Sequence, residues 1–325
     1  MTFQSGLVII NKRRERGRKG LKIYEYSENI AIDFSAAVVA LGLFDGVHVG
    51  HRALLSIAKR EAEKRHLPLA VFTFFQENNL PKGTTRLYSN AIKTELLEKM
   101  GVEYVIYADF DKISGTDARS FITDILVGKL KAELAVTGLD FRFGKGRCGD
   151  TRLLSDVMRE LNKECLSVPD KTAEGKKIST SLIKELLKGG NPRLAAKLLG
   201  EAYFIEGEIV HGDGRGETLG LPTVNISLQN NQDFIKTGVY LSKVTIGEKS
   251  YTGLTNIGVC PTFEAREVHA ETFILDFSDK VYGKLARIHL FDYLREEKKF
   301  NSKEELTKQI MRDVASAKER SQDVR

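Results

Sequence analysis

The chain has 325 residues, 42% of them hydrophobic, a formal net charge of +6 and three cysteines. That length supports about two globular domains with ordinary cores. Cys148, Cys165 and Cys260 have no paired spacing, which excludes a disulfide framework or zinc cluster, and the longest apolar stretch, residues 31–44, is too short for a membrane span and carries Asp33.

Residues 12–19 (KRRERGRK) concentrate positive charge within a basic extension over residues 1–20. A solvated loop and a nucleic-acid contact both fit such a tract; no function is assigned to it, and no nucleic-acid partner is expected. Residues 36–43 (AAVVALGL) form an unbroken apolar run, as expected of a central parallel strand covered on both faces. Residues 52–66 then place Leu54, Leu55, Ala58 and Ala62 on one helical face and charges on the other. Between strand and helix lies GLFDGVHVGH, with Gly42, Phe44, Asp45, Gly46, His48, Gly50 and His51. The glycines permit close backbone approach, and the free N–H groups of a helix start favour phosphate. His48 and His51 face the same phosphates in that arrangement, as neutral donors or as imidazolium ions. Taken alone, His-x-x-His reads equally as a fragment of a metal-ligand set or an ordinary helix-start pair.

Strands are expected at 69–75, 102–108 and 133–138, alternating with helices at 91–100 and 118–130. This alternation calls for an α/β fold with a parallel sheet, whose ligands bind beyond the carboxyl ends of the strands. After Gly189 and Gly190 the pattern changes, and a domain boundary is expected at 187/188. A short helix at 193–199 leads into β-rich runs at 203–210, 223–228, 238–246, 249–257, 272–277 and 285–293, read as an antiparallel barrel, with a final amphipathic helix at 302–317.

The second half has its own candidate groups. Gly212, Gly214, Arg215 and Gly216 form a glycine-rich turn that fits either phosphate or a plain surface loop. Thr223 and Asn225 stand at alternate positions of a starting strand, so a hydroxyl and an amide oxygen share a face and suit Mg2+. Asn256 lies in a second loop, and Glu271, placed early in the next strand, is a carboxylate able to take a hydroxyl proton or an exposed strand residue with no role.

Taken together, from about residue 36 to residue 317, these motifs resemble the bifunctional riboflavin kinase and FAD synthetase family of bacteria. Further markers are residues 137–145 (TGLDFRFGK), residues 178–184 (ISTSLIK), Tyr282 to Lys284, and Leu294, Arg295 and Glu296 with Phe300. The resemblance implies a Rossmann-like nucleotidyltransferase domain over residues 1–187 and a β-barrel riboflavin kinase domain with a terminal helix over residues 188–325. It implies that riboflavin is phosphorylated to FMN in the barrel, with Glu271 as base and Mg2+ held by Thr223 and Asn225. FMN is then adenylylated to FAD in the first domain, where His48 and His51 stabilise the departing pyrophosphate. ATP is the co-substrate of both steps, and the partners are small molecules, with no membrane partner and a cytoplasmic location. Ser179, Thr180, Ser181 and Lys184 resemble a second phosphate-binding segment, and Asp140, Phe141, Asn256 and Arg295 fall at flavin or nucleotide positions.

The chain departs from the family pattern in places. Phe75 stands where an acidic residue ends the second strand, Lys184 replaces an arginine, and Glu201 and Glu217 stand where arginines are usual. These changes point to a weakened adenylyltransferase, and leave open riboflavin kinase activity alone or a flavin- or nucleotide-binding regulatory protein.

Overall fold

The computed structural model describes residues 7–8, 20–75, 85–210, 223–227, 232, 234–261, 266–275, 277, 279, 281–298, 300 and 302–321. The basic tract at 12–19, the turn carrying Gly212, Gly214, Arg215 and Gly216, and Glu217 lie outside them. The described residues fall into two compact units divided between Ser179 and Thr180, with Thr85–Leu87 belonging to the second.

In the first unit, β1 (Leu7–Val8), β2 (Lys22–Glu25), β3 (Ala37–Leu41), β4 (Leu69–Phe74), β5 (Tyr104–Ala108), β6 (Ala132–Gly138) and β7 (Glu164–Val168) form one sheet in the order β1-β2-β5-β4-β3-β6-β7. Only the β1–β2 pair is antiparallel. Every residue of β3 and of β5 is buried, which accounts for their uninterrupted apolar sequences. Helices α1 (Val49–Arg65), α2 (Asn90–Lys99), α3 (Phe110–Ile113) and α4 (Ala118–Ser120) follow the strands, and α4 continues as a π-helical segment, Phe121–Lys129. Val39 and Leu41 of β3 join Phe72, Ile106, Phe121, Leu126 and Leu154 in one core. Val38 and Ala40 point to the opposite face, the side α1 covers by burying Leu54, Leu55, Ala58 and Ala62. The chain runs outward through β3, β4 and β5, then returns to lay β6 on the other side of β3. The connections leaving β3 and β6 therefore diverge, and a crevice opens at the carboxyl end of β3.

Composition alone gave no sign of β1, β2, β7 or of α5 (Thr151–Glu160), whose start is capped by Asp150 Oδ1 accepting from the Leu153 N–H at 2.9 Å. A short hairpin, β8 (Thr172–Ala173) with β9 (Lys176–Lys177), completes the unit.

The second unit opens with α6 (Thr180–Lys188) and α7 (Pro192–Leu199). The boundary expected at 187/188 falls at the end of α6, just before the turn into α7, where Gly190 has φ 74°. Strands β10 (Phe204–Val210), β11 (Thr223–Ser227), β12 (Gly238–Ile246), β13 (Lys249–Pro261), β14 (Arg266–Ile274) and β15 (Leu285–Arg295) close a barrel in the order β10-β11-β14-β13-β12-β15, all pairs antiparallel. Helix α8 (Lys303–Ser321) packs Ile310 and Val314 against Val239, Leu241 and Leu254. Across β12, β13 and β14, the buried Thr255 hydroxyl meets Ser242 Oγ at 2.7 Å and Thr272 Oγ1 at 2.9 Å. A Cβ at Gly253 would lie 2.9 Å from Thr272 Cγ2, so glycine is required beside this cluster.

One expected strand is corrected. β14 begins at Arg266, not 272: Ala270, Thr272 and Ile274 alternate inward, while the charged Arg266, Glu267 and Glu271 conceal the strand in the sequence. For the first unit, Leu97→Ala should remove a fully buried side chain of α2. A loss of about 2–5 kcal/mol in the urea unfolding of that unit is expected.

Candidate functional site

The turn leaving β3 is built under strain. Phe44 has φ 51°, Gly46 φ 79° and Val47 φ 41°. Positive φ at a β-branched residue is a rare conformation that the surroundings must enforce. The Phe44 ring is completely buried, and a Cβ at Gly42 would come within 3.2 Å of it. After the short turn Asp45–Val47, His48 caps α1: its Nδ1 accepts the His51 N–H at 3.3 Å. The two imidazoles stack with centroids 3.6 Å apart and planes 14° from parallel. Gly50 makes room, since a Cβ there would lie 3.2 Å from the His48 ring.

Burial holds both rings uncharged. It lowers the His48 pKa to about 4 and takes His51 well below its ordinary value, with the His48, Lys93 and Lys177 charges acting in the same direction on His51. Of the two protonation states the sequence allowed, the neutral one is therefore populated at pH 7. Because His48 Nδ1 is an acceptor, the proton of the neutral ring resides on Nε2, making that atom a donor.

Other groups surround this turn. Lys177 on β9 pairs with Asp140 at 2.5 Å and Asp170 at 2.9 Å, and its hydrogen bond holds Asp140 below the usual carboxylate range. Phe141 is half-buried and stacks on Phe143 at 5.6 Å, so it contributes to packing under the loop after β6. Phe75 follows the last residue of β4 and stacks on Tyr107 at 4.7 Å. Lys93 is buried in α2 and donates to main-chain carbonyls at the ends of β3 and β4. Sequence reading missed Lys93 and Lys177. For Lys93 the sequence carries no signal: with Asn90 and Thr94 it reads as part of a polar helix face, although all three are buried.

Of the segment around residue 180, Ser179 closes the first unit, while Thr180, Ser181 and Lys184 belong to α6 in the second. The Lys184 ammonium is bound to the Thr85 carbonyl and stands 5.7 Å from the centre of the Phe234 ring.

In the second unit, β14 runs between β11 and β13. Glu271 is the register partner of Asn225 on one side and Asn256 on the other, so an amide, a carboxylate and an amide form a row across three strands. Thr223 lies on the same face, with Val224 and Ile226 buried on the other. Glu271 thus stands well inside its strand, not early in it. Thr223, Asn256, Glu271 and Arg295 line a cavity of about 280 Å³, walled by Phe273 and Phe300 and by Ile310 and Asp313 of α8. Asn256 Nδ2 donates to Glu297 Oε1 at 3.0 Å. The Arg295 fork is engaged by buried Asp313, with Nε and Nη2 to Oδ2 at 2.9 and 2.8 Å. Asp313, which the sequence did not single out, thereby ties α8 to β15. A Cβ at Gly258 of β13 would approach Glu297 Oε1 to 2.8 Å, so any larger residue there would displace the Glu297 side chain from Asn256.

Among the described residues no three His, Cys, Asp or Glu side chains cluster to bind a metal. The hydroxyl and amide oxygens of Thr223 and Asn225 are hard donors that fit a cation whose other ligands are water and phosphate. Among the same residues no helix is long and apolar enough to cross a membrane.

The FAD synthetase family model matches residues 31–182 and the riboflavin kinase family model residues 199–321. The bifunctional riboflavin kinase/FMN adenylyltransferase of Bacillus subtilis (strain 168) is 36% identical over 290 residues, spanning 86% of this chain and 91% of that protein. The chain belongs to this bifunctional family. The member from Escherichia coli (strain K12) is 38% identical over 291 residues, 87% of this chain and 92% of its own. A crystal structure described as a macrolide-efflux protein from Streptococcus pneumoniae superposes with a TM-score of 0.82 at 30% identity, covering 91% of this family member and 98% of that chain.

The neutral histidines set a pH dependence. An imidazole in the unfolded chain binds its proton near pH 6.5, whereas folded His48 does so only near 4. Between those values the unfolded state holds more protons, so the stabilising term is complete above pH 6.5 and declines as pH falls towards 4. Chemical denaturation followed by circular dichroism should show a loss on the order of 1–3 kcal/mol across that window from His48, and His48→Asn should reduce the dependence while leaving the part due to buried His51.

Proposed function

We propose that this chain carries out two successive ATP-dependent transfers on flavins, riboflavin to FMN in the domain of residues 188–325 and FMN to FAD in that of residues 1–187. The observation that supports this reading is that each unit gathers polar side chains suited to the transfer where its fold admits a ligand. Neutral stacked histidines stand at the switch point of the parallel sheet, and Glu271, in register with Asn225 on one side and Asn256 on the other, lines the cavity beside the barrel together with Asn256 and Thr223.

In the kinase step Glu271 takes the proton of the ribityl hydroxyl as that oxygen bonds to the γ-phosphorus of ATP and the bond to the β–γ bridging oxygen breaks, releasing ADP. Thr223 and Asn225 offer oxygen donors to Mg2+, which when bound supplies neutralising charge to the nucleotide phosphates. Asn256 and Arg295 border the flavin or nucleotide, and Gly212, Gly214, Arg215 and Gly216 are assigned to phosphate binding from their glycine-rich sequence. In the adenylylation step an FMN phosphate oxygen bonds to the α-phosphorus of a second ATP and pyrophosphate departs. His48 and His51 donate hydrogen bonds to the charge that grows on it, a stabilisation specific to the transition state. The Gly42, Phe44, Asp45, Gly46 and Gly50 backbone cradles phosphate, Ser179, Thr180, Ser181 and Lys184 form a second phosphate-binding segment, and Asp140 and Phe141 border the nucleotide or flavin. The partners are small molecules. The thiols of Cys148 and Cys165 are free, which supports a reducing compartment, the cytoplasm.

One observation favours a second reading, riboflavin kinase activity alone. At the end of β4 the aromatic ring of Phe75 is stacked on Tyr107, at the place where the family carries an acidic residue.

Incubation with riboflavin, ATP and Mg2+ followed by chromatography of the flavins tests both. FMN and FAD are expected, FMN alone supports the second reading, and absence of FMN refutes the kinase. Glu271→Gln should abolish FMN formation and spare FAD formation from supplied FMN. Equal loss of both contradicts the division between units.

A further inference from the structure

Lys93 lies inside the first unit with 1% of its surface exposed. Lysines are almost never buried so fully, because removing an ammonium from water costs several kcal/mol before its partners compensate. Its Nζ donates to the carbonyl oxygen of Phe74 at 3.0 Å, to Thr73 Oγ1 at 3.4 Å and to the carbonyl oxygen of Leu43 at 3.5 Å. It also stands 4.9 Å from the centre of the Tyr107 ring. Thr73 Oγ1 in turn donates to the Leu43 carbonyl at 3.0 Å.

These contacts converge on one place. Phe74 is the last residue of β4, and Leu43 follows β3 at the point where the strained turn to His48 begins. A single ammonium therefore draws together the carboxyl ends of two adjacent parallel strands. Methionine fills nearly the same volume without the desolvation cost, so packing alone does not account for a lysine here.

We propose that Lys93 is a positioning residue of the adenylyl-transfer site: it fixes the ends of β3 and β4 so that the turn bearing His48 and His51 is preset for a polyphosphate, and it places an ammonium held by three oxygen acceptors beside that turn. This rests on the reading of the first unit as an adenylyltransferase. The charge acts on His51, lowering its proton affinity together with burial, His48 and Lys177. The other charged groups on the turn, on α1 beside it and on the β8–β9 side are Asp45, Arg52 and the carboxylates of Asp140 and Asp170 that pair with Lys177.

The test compares full-length wild type with Lys93→Met and Lys93→Arg, following FMN from riboflavin and FAD from supplied FMN in separate assays. Lys93→Met should lower kcat for FAD formation by about 10²-fold, the effect typical of losing one preorganised electrostatic group. FMN formation and the KM for FMN should be unchanged. Lys93→Arg should recover about tenfold of that loss, because the cation is retained. In Lys93→Met the acid limb of the FAD-forming pH profile should move to higher pH, since removing a neighbouring cation raises the proton affinity of His51. Thr73→Val keeps the side-chain shape and deletes the shared hydroxyl; it should slow FAD formation by about tenfold with the acid limb in place. Wild-type FAD kinetics in Lys93→Met overturn the proposal, as do equal losses in both Lys93 variants with an unmoved acid limb. Should Lys93→Met fail to fold, a wild-type rate in Thr73→Val overturns it. A wild-type protein that forms no FAD refutes the adenylyltransferase reading and the proposal with it, an outcome distinct from the others.

Discussion

Two imidazole rings can stack 3.6 Å apart only while they do not both carry charge, and the surroundings of the β3–α1 turn keep them uncharged. Burial is the main cause, and cations on two other elements, Lys93 on α2 and Lys177 on β9, reinforce it. The geometry follows from the same requirement. Gly50 clears space for one ring, and His48 gives up Nδ1 to cap the helix. Phe44, Gly46 and Val47 adopt left-handed backbone to bring the chain from a buried strand into that cap. The sheet contributes position: with β4 and β6 on opposite sides of β3, the turn opens into the crevice where neighbouring connections part.

The barrel solves a different problem with a different device. Its polar groups are ordered by strand register, so Asn225, Glu271 and Asn256 are neighbours although they are far apart in the chain. A slip of one residue in β14 would turn Glu271 to the opposite face and bring in Ala270 or Thr272. The buried Ser242, Thr255 and Thr272 hydroxyls oppose such a slip, because any shift separates partners that have no water to replace them.

The sequence made much of this legible, for identifiable reasons. β3 and α1 declare themselves because one is apolar throughout and the other is apolar on a single face, with glycines at the junction. The grouping of Thr223, Asn256, Glu271 and Arg295 around one cavity was suggested by ordered motifs in the chain. What stayed hidden was set by tertiary context. Lys93 reads as a surface residue of an amphipathic helix, and only the strand ends packed over it reveal that it is buried. Asp313 sits in a helix rich in charge, and it is buried against Arg295 at the end of the preceding strand. β7 carries alternating exposed residues at the sheet edge, so no apolar run announces it.

β15 pairs with β10 along one edge and β12 along the other, so it joins the earliest strand of the barrel to one in its middle. Until that strand is made the remaining strands form an open sheet with two unpaired edges, exposed to association with other chains. Pairing Phe204 with His289 closes a long loop, a step whose entropic cost precedes its reward. During synthesis the first unit can acquire its core while the second still awaits its closing strand. The two halves of one polypeptide thus mature at different times, and the later one passes through the more aggregation-prone stage.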